Sequence, residues 1–280
     1  MLKYRIISFP LLLLLALAVA FAGEYGRWIF AALILPVTLA AVLELSGIVR
    51  AMQIPVNTTA AAVFSLLVMA KYAPYSLAEK FRAYLPDFLI LTVLFLLVLL
   101  VSLLFDRNRE RAVKALIATP GVTAPVLLVL LPLARIYFEF GAMTFLILVL
   151  CTKASDTGGY IAGMLSNKLM KNGNHKIVPA ISPKKSWEGT AGAALLSIGT
   201  AVIFRQCGCL TQPLWVVIGF GFLAFLGSFA GDLTESQLKR AANIKDSGSW
   251  IPGMGGVWDV IDSFIYNAPL FYLALTSGGF

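Results

Sequence analysis

The sequence contains little charge. Only 13% of its 280 residues are Asp, Glu, Lys or Arg, and 59% are hydrophobic, whereas soluble domains carry about 25% charged residues. So few charges cannot cover the surface of a water-soluble fold of this length. Together with a mean hydropathy of +0.87, this composition excludes an ordinary soluble enzyme and indicates that lipid is the main solvent.

Histidine and cysteine are also scarce. The single histidine, His175, is expected to be a solvated loop residue, and the sequence contains no conspicuous Ser–His pair. Cys207 and Cys209 are too close together for an ordinary disulfide bond, and Cys151 lies in a predicted helix. The sequence therefore argues against a serine hydrolase and against a Cys/His metal site.

Long apolar runs recur along the whole chain. We predict nine membrane-spanning helices, because each run approaches the about 17–25 residues that a bilayer-crossing helix needs. The predicted spans are residues 6–22, 28–45, 58–72, 88–105, 115–134, 141–160, 190–204, 213–230 and 257–275. The expected fold is an all-α polytopic membrane protein with a cytoplasmic N-terminus, because that orientation places most of the 22 lysines and arginines inside.

The first apolar run has a second interpretation. Lys3 and Arg5 precede a stretch that ends in Ala20-Phe21-Ala22, a pattern typical of a cleaved signal peptide. An uncleaved first helix is favoured because many more spans follow. The net charge of +8 fits topology and attraction to anionic lipid headgroups. It does not predict nucleic-acid binding, because no basic helix or aromatic platform accompanies it.

Polar residues divide the chain into two parts. We expect residues 1–140 to form N-terminal transmembrane helices with short loops, and residues 141–280 to form a C-terminal transmembrane domain that carries the chemistry, with cytoplasmic loops at 165–188 and 231–256. The charged residues of the first part are expected at helix ends, with the exception of Glu44. We expect Glu44 to face the membrane interface.

Half of the 14 acidic residues lie beyond residue 150. They are Asp156, Glu188, Asp232, Glu235, Asp246, Asp259 and Asp262. A charge inside a membrane costs about 2.5–3.5 kcal/mol on insertion scales, so each intramembrane carboxylate is a candidate functional group. The spacing of Asp259 and Asp262 predicts that both carboxylates lie on one face of the last span.

These carboxylates occur beside hydroxyls, cations and glycines. Carboxylate and hydroxyl oxygens suit Mg²⁺, cations suit a polyphosphate, and a Gly-rich turn before a helix lets backbone amides approach an anion. The combination is typical of metal-assisted phosphoryl or nucleotidyl transfer. Asp232, Glu235, Ser236 and Lys239 are spaced at i, i+3, i+4 and i+7, which predicts one helical face. Taken singly, each feature has an ordinary alternative: an ion pair of Lys153 with Asp156, a solvated face for this helix, a basic loop or a simple turn.

The second polar segment resembles the signature of the phosphatidate cytidylyltransferase (CDP-diacylglycerol synthase) family. The matching residues are Ser236, Lys239, Arg240, Lys245, Asp246, Gly248, Ile251, Pro252, Gly253, Gly255, Gly256, Val257, Asp259, Ile261 and Asp262. Upstream, Ser155-Asp156-Thr157-Gly158 and the stretch from Ser182 to Gly189 resemble another motif of the family. Met254 and Val260 stand where the family has His and Arg.

The resemblance implies transfer of a cytidylyl group from CTP to phosphatidate, with Mg²⁺, and it leaves open a second metal ion. It implies metal ligands at Asp156, Asp232, Asp259 and Asp262. Implied catalytic residues are Asp232, Lys239, Arg240, Asp246, Asp259 and Asp262. Implied substrate-binding residues are Ser182, Lys184, Lys185, Glu188, Ser236, Lys245, Gly255 and Gly256.

The same resemblance sets the expected partners and location. CTP would come from the cytoplasm, phosphatidate and other membrane lipids from the bilayer, and no nucleic acid is expected. The expected location is the bacterial inner (cell) membrane, with the active site facing the cytoplasm, and a homodimer is expected only from the family. Two alternatives are a CTP-dependent lipid kinase of the polyprenol or phytol type and, in another class, a membrane transporter.

Overall fold

A computed structural model describes residues 2–72, 88–106, 108–171, 173–179 and 181–278. Within these ranges the regular structure is helical, accompanied by two isolated β-bridges, Lys176 with Ser186 and Ile251 with Gly255. The helices are α1 (Leu2–Phe21), α2 (Glu24–Ala51), α3 (Thr58–Tyr72), α4 (Phe88–Phe105), α5 (Arg109–Glu139), α6 (Ala142–Leu169), α7 (Trp187–Gln206), α8 (Leu214–Ala241), α9 (Trp258–Ile261) and α10 (Phe264–Thr276).

Five of the described helices are long and apolar enough to cross a membrane. They are α2, α5, α6, α7 and α8. Four further apolar segments are shorter, namely Pro10–Phe21, Thr58–Lys71, Leu89–Leu104 and Phe264–Thr276. The prediction of an α-helical polytopic membrane protein is therefore confirmed, while the count of nine spans and the cytoplasmic N-terminus stay predictions.

The chain forms two compact units. The first comprises Met1–Ala142 and Leu238–Ile261, and the second comprises Met143–Gln237 and Asp262–Phe280. The loop between α8 and α9, residues 242–257, thus belongs to the first unit, and we call it the signature loop. The predicted division at about residue 140 separates the part that carries the chemistry from the part that does not, which is a different question from compactness. It stays a prediction.

Aromatic and aliphatic contacts build the core of the first unit. Phe64 of α3 stacks on Phe95 of α4 with 4.3 Å between ring centroids. Phe30 of α2 stacks on Tyr137 of α5 at 4.4 Å, and the Tyr137 hydroxyl donates a hydrogen bond to the carbonyl of Val19 at 2.9 Å. These contacts connect α1 to α5 and keep α2, the helix that reaches the signature loop, within the unit.

Glycines bring α6 and α7 together in the second unit. A Cβ atom on Gly158 would overlap the carbonyl oxygen of Gly192, and a Cβ atom on Gly192 would overlap the side chain of Ala162. Small residues at such a crossing let two membrane helices approach closely. The close crossing fixes the walls of the polar cavity described below.

The last predicted span is interrupted. Residues 257–275 form α9, a turn at 262–263, and α10 rather than one helix. The carboxylate of Asp262 accepts a hydrogen bond from the backbone N–H of Ser263, a local bond that competes with helix continuation. Because α9 ends before Asp262, the expectation that Asp259 and Asp262 share one face of a continuous helix is wrong.

The two predicted loops are shorter than expected. Helix α6 continues to Leu169 and α8 continues to Ala241, so part of 165–188 and of 231–256 is helical. Asp232, Glu235, Ser236 and Lys239 consequently lie on α8.

We predict that Gly192→Val destabilises the protein, because the added side chain has no room between α7 and α6. Overpacking of this kind costs about 1–3 kcal/mol and should lower the thermal midpoint in detergent. Gly199→Val is the matched control on the same helix, since no atom of another described helix lies within 4 Å of its Cβ position. Equal midpoints for the two variants would contradict the close crossing.

Candidate active site

A polar cavity of about 490 Å³ lies in the second unit. Residues of α6, the α6–α7 connection, α7 and α8 line it. Five of the predicted site residues are among them: Asp156, Ser182, Lys184, Lys185 and Asp232. Residues of the two upstream stretches and Asp232 of α8 therefore converge on one cavity, although they are far apart in the sequence.

Lys185 is held in place rather than solvated. Its ammonium group lies 2.9 Å from Oδ2 of Asp232, donates to the carbonyl of Phe229 at 3.0 Å, and sits 4.1 Å from the centroid of the Phe229 ring. The side chain is only 14% exposed. A lysine fixed by three contacts differs from a basic loop residue, and this position suits it to meet an incoming phosphate. Lys184, next to it, is exposed.

Asp156 forms the ion pair with Lys153 that the sequence left as an alternative. Lys153 Nζ lies 3.0 Å from Oδ2 of Asp156 and donates to Ser263 Oγ at 2.7 Å. The other carboxylate oxygen accepts a hydrogen bond from Ser228 Oγ. Lys153 and Ser228 were not predicted as site residues, because the contacts of Lys153 with Ser263 and of Ser228 with Asp156 join segments that lie far apart in the sequence.

Three carboxylates meet beside this cavity. One oxygen from each of Asp232, Glu235 and Asp262 lies within 4.8 Å of the other two, and Glu235 and Asp262 are 2% and 7% exposed. Like charges so close and so buried repel one another unless a cation or a shared proton neutralises them. The donor set consists of oxygen atoms alone, which fits a hard divalent cation such as Mg²⁺.

The polar face of α8 points inward. Its members are spaced at i, i+3, i+4 and i+7, and none is exposed, namely Asp232, Glu235, Ser236 and Lys239. The intervening Thr234, Gln237 and Arg240 are exposed. The alternative of a solvated polar face is therefore wrong for this helix.

The α6–α7 connection is ordered by polar contacts. Ser186 begins α7, and its hydroxyl accepts from the N–H of Gly189 at 3.1 Å and from Asn174 Nδ2 at 3.1 Å. Glu188 accepts from the backbone N–H of His175 and lies 2.7 Å from its Nδ1. His175 is exposed, as predicted, and Glu188, a predicted substrate ligand, orders this loop.

In the first unit, Asp259 organises the signature loop. Its carboxylate lies 2.8 Å from Lys239 Nζ and accepts from the N–H groups of Ser247 at 3.0 Å and Gly256 at 2.7 Å. Gly255 has φ +100°, and a Cβ atom there would overlap the same carboxylate. Gly255 therefore permits both the backbone turn and the close approach of Asp259.

Glu44 does not face the membrane interface as expected. It is 5% exposed and accepts hydrogen bonds from the signature loop, at Ser247 Oγ and at the N–H groups of Val257 and Trp258. An acid in the apolar interior of α2 was a signal of function, but nothing in the local pattern indicated its partners more than 200 residues away.

The other predicted residues are placed as follows. Arg240, Lys245 and Asp246 are exposed in the first unit, and Met254 and Val260, which replace the His and Arg of the family signature, are half-buried there. Roles in substrate or metal binding for the predicted residues stay predictions.

The fold and site thus define a polytopic α-helical membrane protein with a polar cavity of carboxylates and lysines. The chain belongs to the cytidylyltransferase family, whose sequence model matches residues 3–277. The resemblance drawn from the sequence motifs is confirmed at the level of the family.

Curated relatives are called phosphatidate cytidylyltransferases. The protein of Mycobacterium bovis is 39% identical over 141 residues, which are 50% of this chain and 44% of that protein. Phosphatidate cytidylyltransferase 4, chloroplastic, of Arabidopsis thaliana is 37% identical over 161 residues, 58% of this chain and 38% of that protein. The protein of Synechocystis is 37% identical over 139 residues, 48% of this chain and 44% of that protein. The chain therefore spans less than half the length of these relatives.

We predict that Mg²⁺ stabilises the protein through the three clustered carboxylates. A ligand at 100 times its Kd stabilises the folded state by about 2.7 kcal/mol, so the thermal midpoint in detergent should rise with Mg²⁺. Glu235→Gln should remove most of this rise. Glu139→Gln should keep it, because Glu139 pairs with Arg135 in the first unit. The same rise in both variants would contradict metal binding at this cluster.

Proposed function

We propose that the protein transfers a cytidylyl group from CTP to phosphatidate and releases pyrophosphate. The observation that carries the proposal is the convergence of Lys184, Lys185, Asp156 and Asp232 on one cavity. Membership of the cytidylyltransferase family supports the use of CTP, and the names of the curated relatives support phosphatidate as the acceptor and CDP-diacylglycerol as the product.

The reaction requires little acid–base chemistry from the protein. A phosphate oxygen of phosphatidate attacks the α-phosphorus of CTP, a new P–O bond forms, and the bond from the α-phosphorus to the bridging oxygen breaks as pyrophosphate leaves. The second pKa of a phosphate monoester is about 6, so the nucleophile is already ionised near neutral pH. The protein must align two polyanions and neutralise their charge.

Lysines in the cavity supply the positive charge. Lys185 is already placed by Asp232 and Phe229, so it can exchange part of its contact with the carboxylate for a phosphate oxygen without being reordered. Lys184 and Ser182 line the same cavity and would bind further phosphate oxygens. Further proposed ligands are Glu188, Ser236, Lys239, Arg240, Lys245, Asp246 and the backbone of Gly255 and Gly256.

Asp232, Glu235 and Asp262 would hold Mg²⁺, and Asp156 and Asp259 stay proposed as further ligands. When bound there, Mg²⁺ would supply positive charge for the phosphate oxygens. The residues around it do the remaining work: Lys153 and Ser228 fix the carboxylate of Asp156, and Lys185 fixes that of Asp232.

The membrane setting follows from the same proposal. The acyl chains of phosphatidate would stay in the bilayer while CTP enters from the cytoplasm, so the cavity would face the cytoplasm. We propose the bacterial inner (cell) membrane as the location. A second metal ion and a homodimer are proposed on the family resemblance alone.

We predict that purified protein in detergent releases pyrophosphate only when CTP, phosphatidate and Mg²⁺ are all present. Lys185→Ala should lower kcat about 10²- to 10³-fold, the loss expected when one charge-stabilising donor is removed. Lys171→Ala is the matched control, because Lys171 is an exposed lysine of the same connection and does not line the cavity.

Asp262→Asn should be equally inactive while remaining folded. CDP with a phosphorylated lipid as products would instead favour the lipid kinase. Folded protein with neither product would favour the transporter. Equal rates for Lys185→Ala and Lys171→Ala would contradict the assignment of the cavity.

A further inference from the structure

Glu44 connects α2 to the interior of the signature loop and to the start of α9. Oε2 of its carboxylate accepts from Ser247 Oγ at 3.1 Å and from Trp258 N at 2.7 Å, and Oε1 accepts from Val257 N at 3.0 Å. Ser247 lies within the loop, Val257 is its last residue, and Trp258 begins α9. The Glu44 side chain therefore holds the signature loop, which contains no helix, at two points.

The burial of Glu44 makes this contact structurally demanding. A carboxylate removed from water needs hydrogen-bond donors to replace its hydration, and Glu44 receives three at a side-chain exposure of 5%. Two of the donors are backbone N–H groups, which belong to the first turn of a helix and have no partner within it. Glu44 thus supplies acceptors for these donors, and the donors replace the water that its carboxylate has lost.

Asp259 makes a parallel set of contacts. It also accepts from the backbone of Ser247 and from the backbone just before α9, at Gly256, and it pairs with Lys239. Two carboxylates from separate helices therefore hold the loop at the same two places, at Ser247 and around the start of α9. A displacement of the loop from Glu44 would alter the donors around Asp259 and with them its ion pair with Lys239.

Two glycines of the loop leave room for the Glu44 carboxylate. A Cβ atom on Gly248 would overlap Oε1, and a Cβ atom on Gly256 would overlap Oε2. The steric fit and the hydrogen bonds are independent observations, and both place this carboxylate against the loop.

We infer that Glu44 is a positioning residue, which fixes the signature loop so that Asp259 and Lys239 keep the arrangement that nucleotidyl transfer requires. The inference rests on the proposed function for its catalytic consequence. The placement of the loop by Glu44 is independent of the proposed function and can be measured separately.

The test compares Glu44→Gln and Glu44→Asp with Glu110→Gln. The amide of Gln retains the size of Glu44 but turns one acceptor oxygen into a donor, which opposes at least one N–H or O–H group. Asp keeps the carboxylate on a shorter chain. Glu110 is the matched control, since it is a 77% exposed acid that pairs with Lys114 in the same unit.

Steady-state kinetics and amide hydrogen exchange give two readouts. We expect Glu44→Gln to lower kcat roughly 10- to 100-fold, the scale of a small misplacement of reacting groups, with KM for CTP changed less than about three-fold. Glu44→Asp should recover part of kcat. Exchange should accelerate within residues 245–260 and remain unchanged in α3 to α5, which separates local release of the loop from general destabilisation.

Ser247→Ala keeps the test decisive if Glu44→Gln does not fold. It removes one donor and leaves two on Glu44, so a smaller loss of kcat with faster local exchange supports the inference. Wild-type kcat together with wild-type exchange in the folded variants would overturn it. If the wild-type protein makes no CDP-lipid, the proposed function fails, and exchange alone decides whether Glu44 holds the loop.

Discussion

Charge in an apolar helical protein must be matched by charge or by hydrogen-bond donors, and this constraint shapes both units. Two buried carboxylates of the first unit are met by specific partners: Glu44 by three N–H or O–H donors, and Asp259 by Lys239 and two backbone amides. In the second unit the partly exposed Asp156 pairs with Lys153 and accepts from Ser228. Removing one partner from such a buried set costs far more than breaking a surface ion pair, because the remaining charge is left without compensation.

The same matching prepares the proposed chemistry. Lys185 is held between Asp232 and the carbonyl of Phe229, so a phosphate meets a cation whose position has already been fixed. Asp232, Glu235 and Asp262 form the one described cluster in which carboxylates face one another. A polyphosphate bound with its metal ion would bring negative charge to the lysine and positive charge to the carboxylates. Nucleotidyl transfer therefore fits this site better than acid–base hydrolysis.

Local sequence patterns predicted much of this arrangement. The apolar run at 88–105 predicted a membrane span with the same bounds as α4. The spacing of Asp232, Glu235, Ser236 and Lys239 predicted a common helical face. Contacts between remote segments were not predictable, because neither Glu44 with Trp258 nor Lys153 with Ser263 leaves a periodic signal. The break at Asp262 was not predicted because the apolar run continues on both sides of it. The hydrogen bond from Ser263 N–H to the Asp262 carboxylate, which accompanies the turn, is visible only in the structure.

The proposed reaction moves the α-phosphoryl group of CTP, together with its nucleoside, to a lipid phosphate. The direct test is to incubate the purified protein with phosphatidate, Mg²⁺ and CTP labelled with ³²P at either the α or the γ position, and then to extract the lipid. Cytidylyl transfer predicts that label enters the lipid from the α position and that γ label is recovered in pyrophosphate. Label entering the lipid from the γ position, or from neither, would contradict it.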